Sequence, residues 1–199
     1  MSPVRLRALA AAGLVALGAC VSQPPAPERR EFPWPQLREQ LQRRSEFALD
    51  GRMAAAAGNQ GFSGSFSWVQ FQQASSVAIS GPLGAGALRI ALQDGQLTVQ
   101  TAGGESVDGA AAREILERQL GFELPIERLR YWLQGVPAPA SPAVELPDEA
   151  AQRLVGLQQD GWDLHFDAFE QTAAGWLPTR IVLRRGAARL RVLINTWRR

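Results

Sequence analysis

The chain has 199 residues and a formal net charge of +2, with 21 basic residues against 19 acidic ones. This near balance gives no electrostatic reason to expect nucleic acid or anionic lipid as a partner. The single cysteine excludes an internal disulfide bond and a metal cluster held by several thiolates.

The first residues have the pattern of a secretory signal. Arg5 and Arg7 precede an uncharged apolar run that is shorter than the about 20 residues needed to span a membrane. The run ends in Leu-Gly-Ala-Cys at residues 17–20, which resembles the lipobox of bacterial lipoproteins. That resemblance implies cleavage before Cys20 and a lipid on this residue, whereas the alternative is an ordinary signal peptide with a chance cysteine. We therefore predict a lipoprotein signal peptide over residues 1–19.

The segment after Cys20 is predicted to be a tether. Residues 20–35 contain five prolines and little apolar periodicity, which is typical of an extended linker. The second residue of the cleaved chain is Val21. The resemblance to bacterial lipoproteins implies that an Asp at this position favours retention in the inner membrane, so Val21 is compatible with the outer membrane. Cleavage also removes two arginines and leaves 19 basic against 19 acidic residues. Residues 36–199 then fit one domain.

The domain is predicted to begin with a helix over residues 36–47, because Leu37 and Leu41 lie at helical spacing. The apolar period then changes to two, which favours an antiparallel sheet with one buried face. Asp94-Gly95 is a strong signal for a tight hairpin. The predicted strands of this first group are 47–53, 61–68, 75–80, 87–92 and 96–101.

Two helices and a second group of strands follow. Residues 109–120 are predicted to be helical up to Gly121, and residues 125–134 form a second helix that Gly135 ends. The Pro-rich stretch 137–147 is interpreted as a loop. The predicted strands of the second group are 153–159, 162–169, 179–185 and 189–197. This order, without βαβ units, predicts an α+β fold in which a strongly curved antiparallel sheet holds helices on its concave side.

The sequence contains few motifs that would indicate an enzyme. His165, the only histidine, shares a strand face with Asp163 and Asp167, and a solvated strand face is the simpler interpretation beside a metal or proton-transfer site. The segment 61–65 lacks the last glycine of a nucleophile elbow, and the Gly-rich segment 81–86 has no Lys-Ser/Thr after it. We therefore expect no catalytic residues, no metal and no cofactor, and we rank a hydrolase last.

Apolar residues on alternating strand positions suggest a cavity. A curved sheet with an apolar inner face can enclose a ligand, as small barrels do, although a filled core is the alternative for each residue. The candidate lining residues are Phe62, Phe66, Trp68, Leu88, Ile90, Leu92, Leu190, Val192 and Ile194.

Leu83 is an apolar residue in a turn that would normally carry polar ones. Pro82 and Gly84 frame it, between two predicted strands. The leucine either folds back as a plug or is offered to a membrane or a hydrophobic partner.

A second surface feature is the stretch 180–199, which contains seven arginines and no acid. It is either a solvated strand face or a site that steers an acidic partner.

Several segments together resemble the LolB family of outer-membrane lipoproteins, in the same order and from about residue 47 to residue 197. Among them are Ser-Gly-Pro-Leu-Gly at 80–84 and Leu-Arg-Tyr-Trp-Leu-Gln-Gly at 129–135. The other matching segments are 61–68, 88–90, 124–125, 158–162, 177–178 and the ending at Trp197.

The resemblance implies an unclosed β-barrel with about three helices over its open side and an apolar cavity. It also implies that the protein takes lipoproteins from the soluble periplasmic carrier LolA and inserts their acyl chains into the outer membrane without nucleotide. The family's protruding leucine corresponds to Leu83, which is therefore expected to be exposed. We accordingly expect a monomer, lipid-anchored at the outer membrane and facing the periplasm. The alternative is a lipocalin-like lipoprotein that binds a small hydrophobic ligand.

Overall fold

The structure is a computed structural model, and it describes residues 34–139, 141–148, 150 and 152–198. The predicted signal peptide, the lipidation site Cys20 and most of the predicted tether lie outside these residues. The described residues form three α-helices, α1 (Trp34–Arg43), α2 (Gly109–Leu120) and α3 (Ile126–Trp132). The strands are β1 (Glu46–Ala57), β2 (Gln60–Phe71), β3 (Ala74–Ser80), β4 (Leu88–Gln93), β5 (Gln96–Thr101), β6 (Ser106–Asp108), β7 (Ala143–Asp148), β8 (Arg153–Gln159), β9 (Trp162–Thr172), β10 (Gly175–Arg185) and β11 (Ala188–Arg198).

The strands form one antiparallel sheet of eleven strands. Its spatial order is β6-β5-β4-β3-β2-β1-β11-β10-β9-β8-β7, so the first and last strands of the chain pair in its middle. The two edge strands, β6 and β7, do not pair with each other, and the barrel is therefore not closed. The predicted fold class, an unclosed antiparallel barrel with helices, is confirmed.

Hairpins build most of this sheet, because neighbouring strands in the chain are also neighbours in space. Asp94 and Gly95 join β4 to β5 with backbone φ of 50° and 77°, the left-handed pair that a tight hairpin needs. β4 alternates strictly between buried and exposed residues. Its inner side chains belong to one large apolar cluster that also contains the buried apolar residues of α2 and α3. These two helices thus lie over the inner face of the sheet.

Helix α1 packs against a separate, smaller apolar cluster. Leu37 and Leu41, four residues apart, are buried there with Val136 and Leu177. Glu145 on β7 accepts hydrogen bonds from α1, at 2.7 Å from Trp34 Nε1 and at 2.8 Å from Arg38 Nη1. The helix is thereby joined to the β7 edge of the sheet.

Among the helices of the described residues, none has the length and apolar character that a membrane span requires.

Three elements differ most from the sequence prediction. Helix α1 begins at Trp34 and ends at Arg43, so the predicted helix 36–47 was placed too late, because Glu46 and Phe47 already pair in β1. The interpretation of 137–147 as a loop was wrong over its second half, which forms the edge strand β7. Pro147 is tolerated there because it lies at an edge and next to a register shift. The three-residue strand β6 was missed, since it is too short to show alternation.

Candidate functional site

An apolar cavity lies between the inner face of the sheet and the helices α2 and α3. Every side chain that lines it is apolar, and its volume is about 40 Å³. The sheet contributes Met53, Phe66, Trp68, Val77, Ile79, Ile90, Leu190 and Val192. The helices α2 and α3 and the residues that flank α3 contribute Leu116, Leu120, Leu124, Ile126, Leu129 and Leu133.

The strand register explains how these residues meet. Trp68 on β2 pairs with Val77 on β3, and Val77 pairs with Ile90 on β4. Residues that pair directly across strands point to the same face of the sheet. One row of large apolar side chains therefore crosses three strands. From the other side, Leu116 and Leu120 of α2 lie four residues apart and hence on one helical face.

The nine residues predicted to line a cavity divide into two groups. Phe66, Trp68, Ile90, Leu190 and Val192 line it. The others are Leu88, Leu92 and Ile194, which are buried in the same apolar cluster, and Phe62, which is half-buried against that cluster. The structure places these four outside the lining of the cavity. Alternation identified the inner face but not the part of it that borders empty space.

The helical half of the lining was not among the predicted cavity residues. Leu129 and Leu133, for example, have the spacing that predicted the second helix, and both face the cavity. The signal was present in the periodicity of that segment. The periodicity does not show which face of the sheet the helix packs against, because only tertiary contacts decide that.

The cavity is small for a ligand site. Pockets for small organic ligands commonly measure about 300–1,000 Å³, whereas a volume of about 40 Å³ is near that of one water molecule in the liquid. A ligand larger than one water molecule therefore fits only if the helices and the sheet move apart. The space left between well-buried side chains marks where the two layers meet without interlocking fully.

Helix α3 is fixed to the sheet at its C-terminal end by buried hydrogen bonds. Trp132 Nε1 donates to Gln159 Oε1 at 2.8 Å, and Gln159 also bonds both backbone polar groups of Ala138. Arg128 adds an ion pair of 2.9 Å with Asp160. Because unmaking buried hydrogen bonds is costly, this end of α3 is a firm attachment. Helix α2 faces the sheet with the apolar residues Ala112, Leu116 and Leu120.

The loop between β3 and β4 presents Leu83 to solvent. The leucine side chain has a relative exposure of 108%. Its backbone is left-handed, with φ of 55°, a conformation that costs roughly 1–2 kcal/mol for a residue other than glycine. The loop holds itself through backbone bonds, from Gly81 N to Ala85 O at 2.8 Å and from Gly84 N to Gly81 O at 3.0 Å. Leu83 is thus offered outward and does not fold back as a plug.

An arginine cluster lies on the outer face of β10 and β11. Arg184 pairs directly with Arg189, and Arg191 follows on the same face of β11. The pKa of Arg189 is lowered, first by desolvation and then by the charges of Arg191 and Arg184. Asp163 lies opposite Arg184 on β9. In the described chain, no ion pair within 4.0 Å joins these three arginines to a carboxylate.

The other polar candidate of the sequence does not form a site. Asp163, His165 and Asp167 are exposed on β9, as expected of a solvated strand face. Within the described ranges, no group of three or more His, Cys, Asp or Glu side chains is placed to hold a metal ion.

An unclosed antiparallel barrel with helices over a wholly apolar cavity defines the class of half-barrel proteins suited to apolar ligands. The family model described as outer membrane lipoprotein LolB matches residues 45–197. An outer-membrane lipoprotein LolB from Azoarcus sp. is 34% identical over 199 residues, which cover 99% of this chain and 98% of that protein. One from Pseudomonas paraeruginosa is 32% identical over 164 residues, 82% of this chain and 80% of the relative.

A solved structure has the same fold. A LolA superfamily protein from Nitrosomonas europaea superimposes with a TM-score of 0.54 at 10% identity, covering 84% of this chain and 94% of the other. The chain belongs to the LolB family of outer-membrane lipoproteins, a family of lipoprotein localisation, and the resemblance noted in the sequence is confirmed.

Proposed function

We propose that the chain accepts lipoproteins from a periplasmic LolA carrier, holds their acyl chains in the apolar cavity and inserts them into the outer membrane. It acts as a monomer anchored through lipid on Cys20, behind the signal peptide 1–19 and the tether that begins at residue 20. The observation that carries this proposal is the lining of the cavity, in which every residue is apolar. Such a lining has no polar group to orient a substrate, and it suits hydrocarbon chains of varied structure.

The energetics of acyl chains explain why such a protein needs no nucleotide. Each CH₂ group transferred out of water contributes about 0.8 kcal/mol, so the acyl chains of the cargo pass directly from one apolar site to the next and not through free solution. Transfer runs towards whichever apolar site binds the chains more tightly. A receptor with a deeper apolar site than the carrier, beside a bilayer that binds more tightly still, is sufficient.

Cargo binding requires the small cavity to open. We expect α2 to separate from the inner face of the sheet, because Leu116 and Leu120 meet the strands through apolar contacts alone. Helix α3 moves less, since Trp132 and Gln159 fix its end. The opening exposes apolar surface that the entering chains then cover.

Two surface features serve the remaining steps. The exposed Leu83 enters the outer membrane and lets the acyl chains pass into the bilayer. The arginine cluster of Arg184, Arg189 and Arg191 steers an acidic face of the carrier, because clustered charges of one sign accelerate the encounter with the opposite sign.

The test is a transfer reaction with purified components. A lipoprotein bound to its LolA carrier is mixed with this protein, with and without liposomes, and cargo is followed on each species. We expect cargo to move to this protein without liposomes and onward to the liposomes when they are present. Cargo that stays on the carrier in both conditions would contradict the proposal. A depletion experiment separates it from a lipocalin-like binder, since loss of the receptor should strand lipoproteins in the periplasm.

A further inference from the structure

We propose that the groove at the base of the Leu83 loop binds the phosphate of a lipid headgroup through Arg89. This inference rests on the proposed entry of Leu83 into the membrane and adds a second, polar contact to it. The groove lies on the outer face of β3, β4 and β5 and has a volume of about 350 Å³.

The register places Arg89 in the middle of this groove. Arg89 on β4 pairs with Ala78 on β3 and with Gln100 on β5. Its side chain is exposed on the outer face, whereas both of its neighbours in β4 are buried. Small residues beside it, among them Ala78 and Ala102, leave the long arginine side chain in a shallow depression and not in a crowded row.

The lining has the chemistry of an anion site. On the outer face of the sheet, beside the guanidinium of Arg89, the groove contains the hydroxyl group of Ser80 and the amide of Gln100, and its lining includes no Asp or Glu. In the part of the chain that the structure describes, no ion pair within 4.0 Å occupies Arg89. A guanidinium presents parallel N–H donors that match two oxygens of a phosphate group.

The position of the groove favours a lipid headgroup as the source of the phosphate. Ser80, where β3 ends, and Arg89, at the second residue of β4, flank the loop that carries Leu83. Apolar side chains of peripheral proteins reach about 5–10 Å into the boundary between headgroups and acyl chains. When Leu83 is at that depth, the base of its own short loop lies at the level of the headgroups. Arginine there keeps its charge in the polar layer while its stem covers apolar surface.

The loop is suited to this double contact because it is internally bonded. Ala85 N donates to Pro82 O at 3.1 Å, in addition to the two backbone bonds that involve Gly81. A rigid loop fixes Leu83 relative to Arg89. Insertion of the leucine and binding of the phosphate then reinforce each other, since fixing one contact removes most of the entropy cost of the other.

The experiment measures binding to vesicles of phosphatidylethanolamine and phosphatidylglycerol in equal parts. The protein carries Cys20→Ala and is exported behind another signal, so that no lipid anchor contributes. Because the chain has one cysteine, a new one from Ala85→Cys can carry a dye that reports entry of the loop. Arg89→Gln is compared with Arg180→Gln, a matched exposed arginine on β10.

We expect Arg89→Gln to weaken vesicle binding about fivefold, which corresponds to about 1 kcal/mol per basic residue at an anionic surface. Arg180→Gln should bind as the parent does. Equal losses in both variants would overturn the inference in favour of general surface charge, and no loss in either would overturn it outright.

Two further measurements identify the source of the phosphate and distinguish membrane binding from carrier binding. If inorganic phosphate raises the thermal midpoint of the parent but not of Arg89→Gln, and vesicle binding is equal, the groove takes free anions and the inference fails. It also fails if Arg89→Gln slows association with the carrier and leaves vesicle binding intact. Leu83→Glu tests the proposed function separately: an unchanged dye response there would contradict entry of Leu83, whatever Arg89 does.

Discussion

The cavity lining and the Leu83 loop use the same kind of side chain in opposite environments. Leu120 on α2 has a relative exposure of 2%, and Leu83 has one of 108%. Burying a leucine fully contributes roughly 1.5–3 kcal/mol to folding. That contribution stabilises the domain at Leu120, whereas Leu83 adds nothing to the folded state and occupies a strained backbone.

The difference separates stability from delivery. Substitutions in the lining should change both the folded state and the space proposed for acyl chains, because the same residues border both the core and the cavity. A substitution at Leu83 should leave the domain intact and affect only what the loop meets outside it. Each variant below tests whether stability and delivery depend on different residues.

The largest effect is expected at the centre of the lining. Trp68 is almost fully buried on β2, and Trp68→Ala should lower the free energy of unfolding by about 3–5 kcal/mol through a large new cavity. Urea denaturation measures it. The matched control is Phe71→Ala on the same strand, where the side chain is 57% exposed and the expected loss is much smaller. Similar losses in both variants would mean that β2 is not packed as described.

A hydroxyl group placed in the cavity should have a smaller effect. Val192→Thr keeps the shape of the side chain but buries an unpaired polar group, which costs about 1–3 kcal/mol in proteins. We expect weaker acceptance of cargo, with the delivered fraction of accepted cargo unchanged. Val69→Thr, at a position 49% exposed on β2, should change stability by less than about 0.5 kcal/mol. Normal acceptance by a destabilised Val192→Thr would argue that acyl chains bind elsewhere.

The loop variant should reverse this pattern. Leu83→Glu should reduce delivery of cargo to liposomes at least about tenfold, because a leucine's transfer into an apolar phase is lost. Acceptance from the carrier and the free energy of unfolding should stay within error of the parent. Val144→Glu, an equally drastic change at an exposed apolar residue of β7, serves as the control. Equal delivery by both variants would make the loop merely structural.

The smallest effect is expected at the arginine cluster. Reversing Arg184 and Arg191 to Glu should slow association with the carrier about threefold at low salt, and the difference should vanish at high salt. Arg43→Glu on α1, where the arginine is also exposed, is the control. Stopped-flow mixing measures the rate. Rates that do not respond to the charge reversal would leave the cluster as a solvated strand face.

Local sequence patterns predicted much of the fold, since they reflect local physics. Residues 109–120 were predicted as a helix, and they form α2 with the same ends, because Gly121 takes the left-handed conformation that ends it. The Asp94-Gly95 hairpin followed from the same kind of rule. The β7 strand did not, since a proline-containing edge strand has no pattern of its own and forms only when β8 is beside it.

The sequence by itself determined which side chains are apolar, on which face of each strand they lie and that Leu83 stands in a turn. Only the tertiary structure decided which apolar residues border the cavity and which fill the core. Ile90 and Leu92 are two residues apart on one face of β4, yet only Ile90 lines the cavity. The period of a strand fixes the direction of a side chain, but the helix that covers it comes from a distant part of the chain. The space between strand and helix is therefore set by packing and not by pattern.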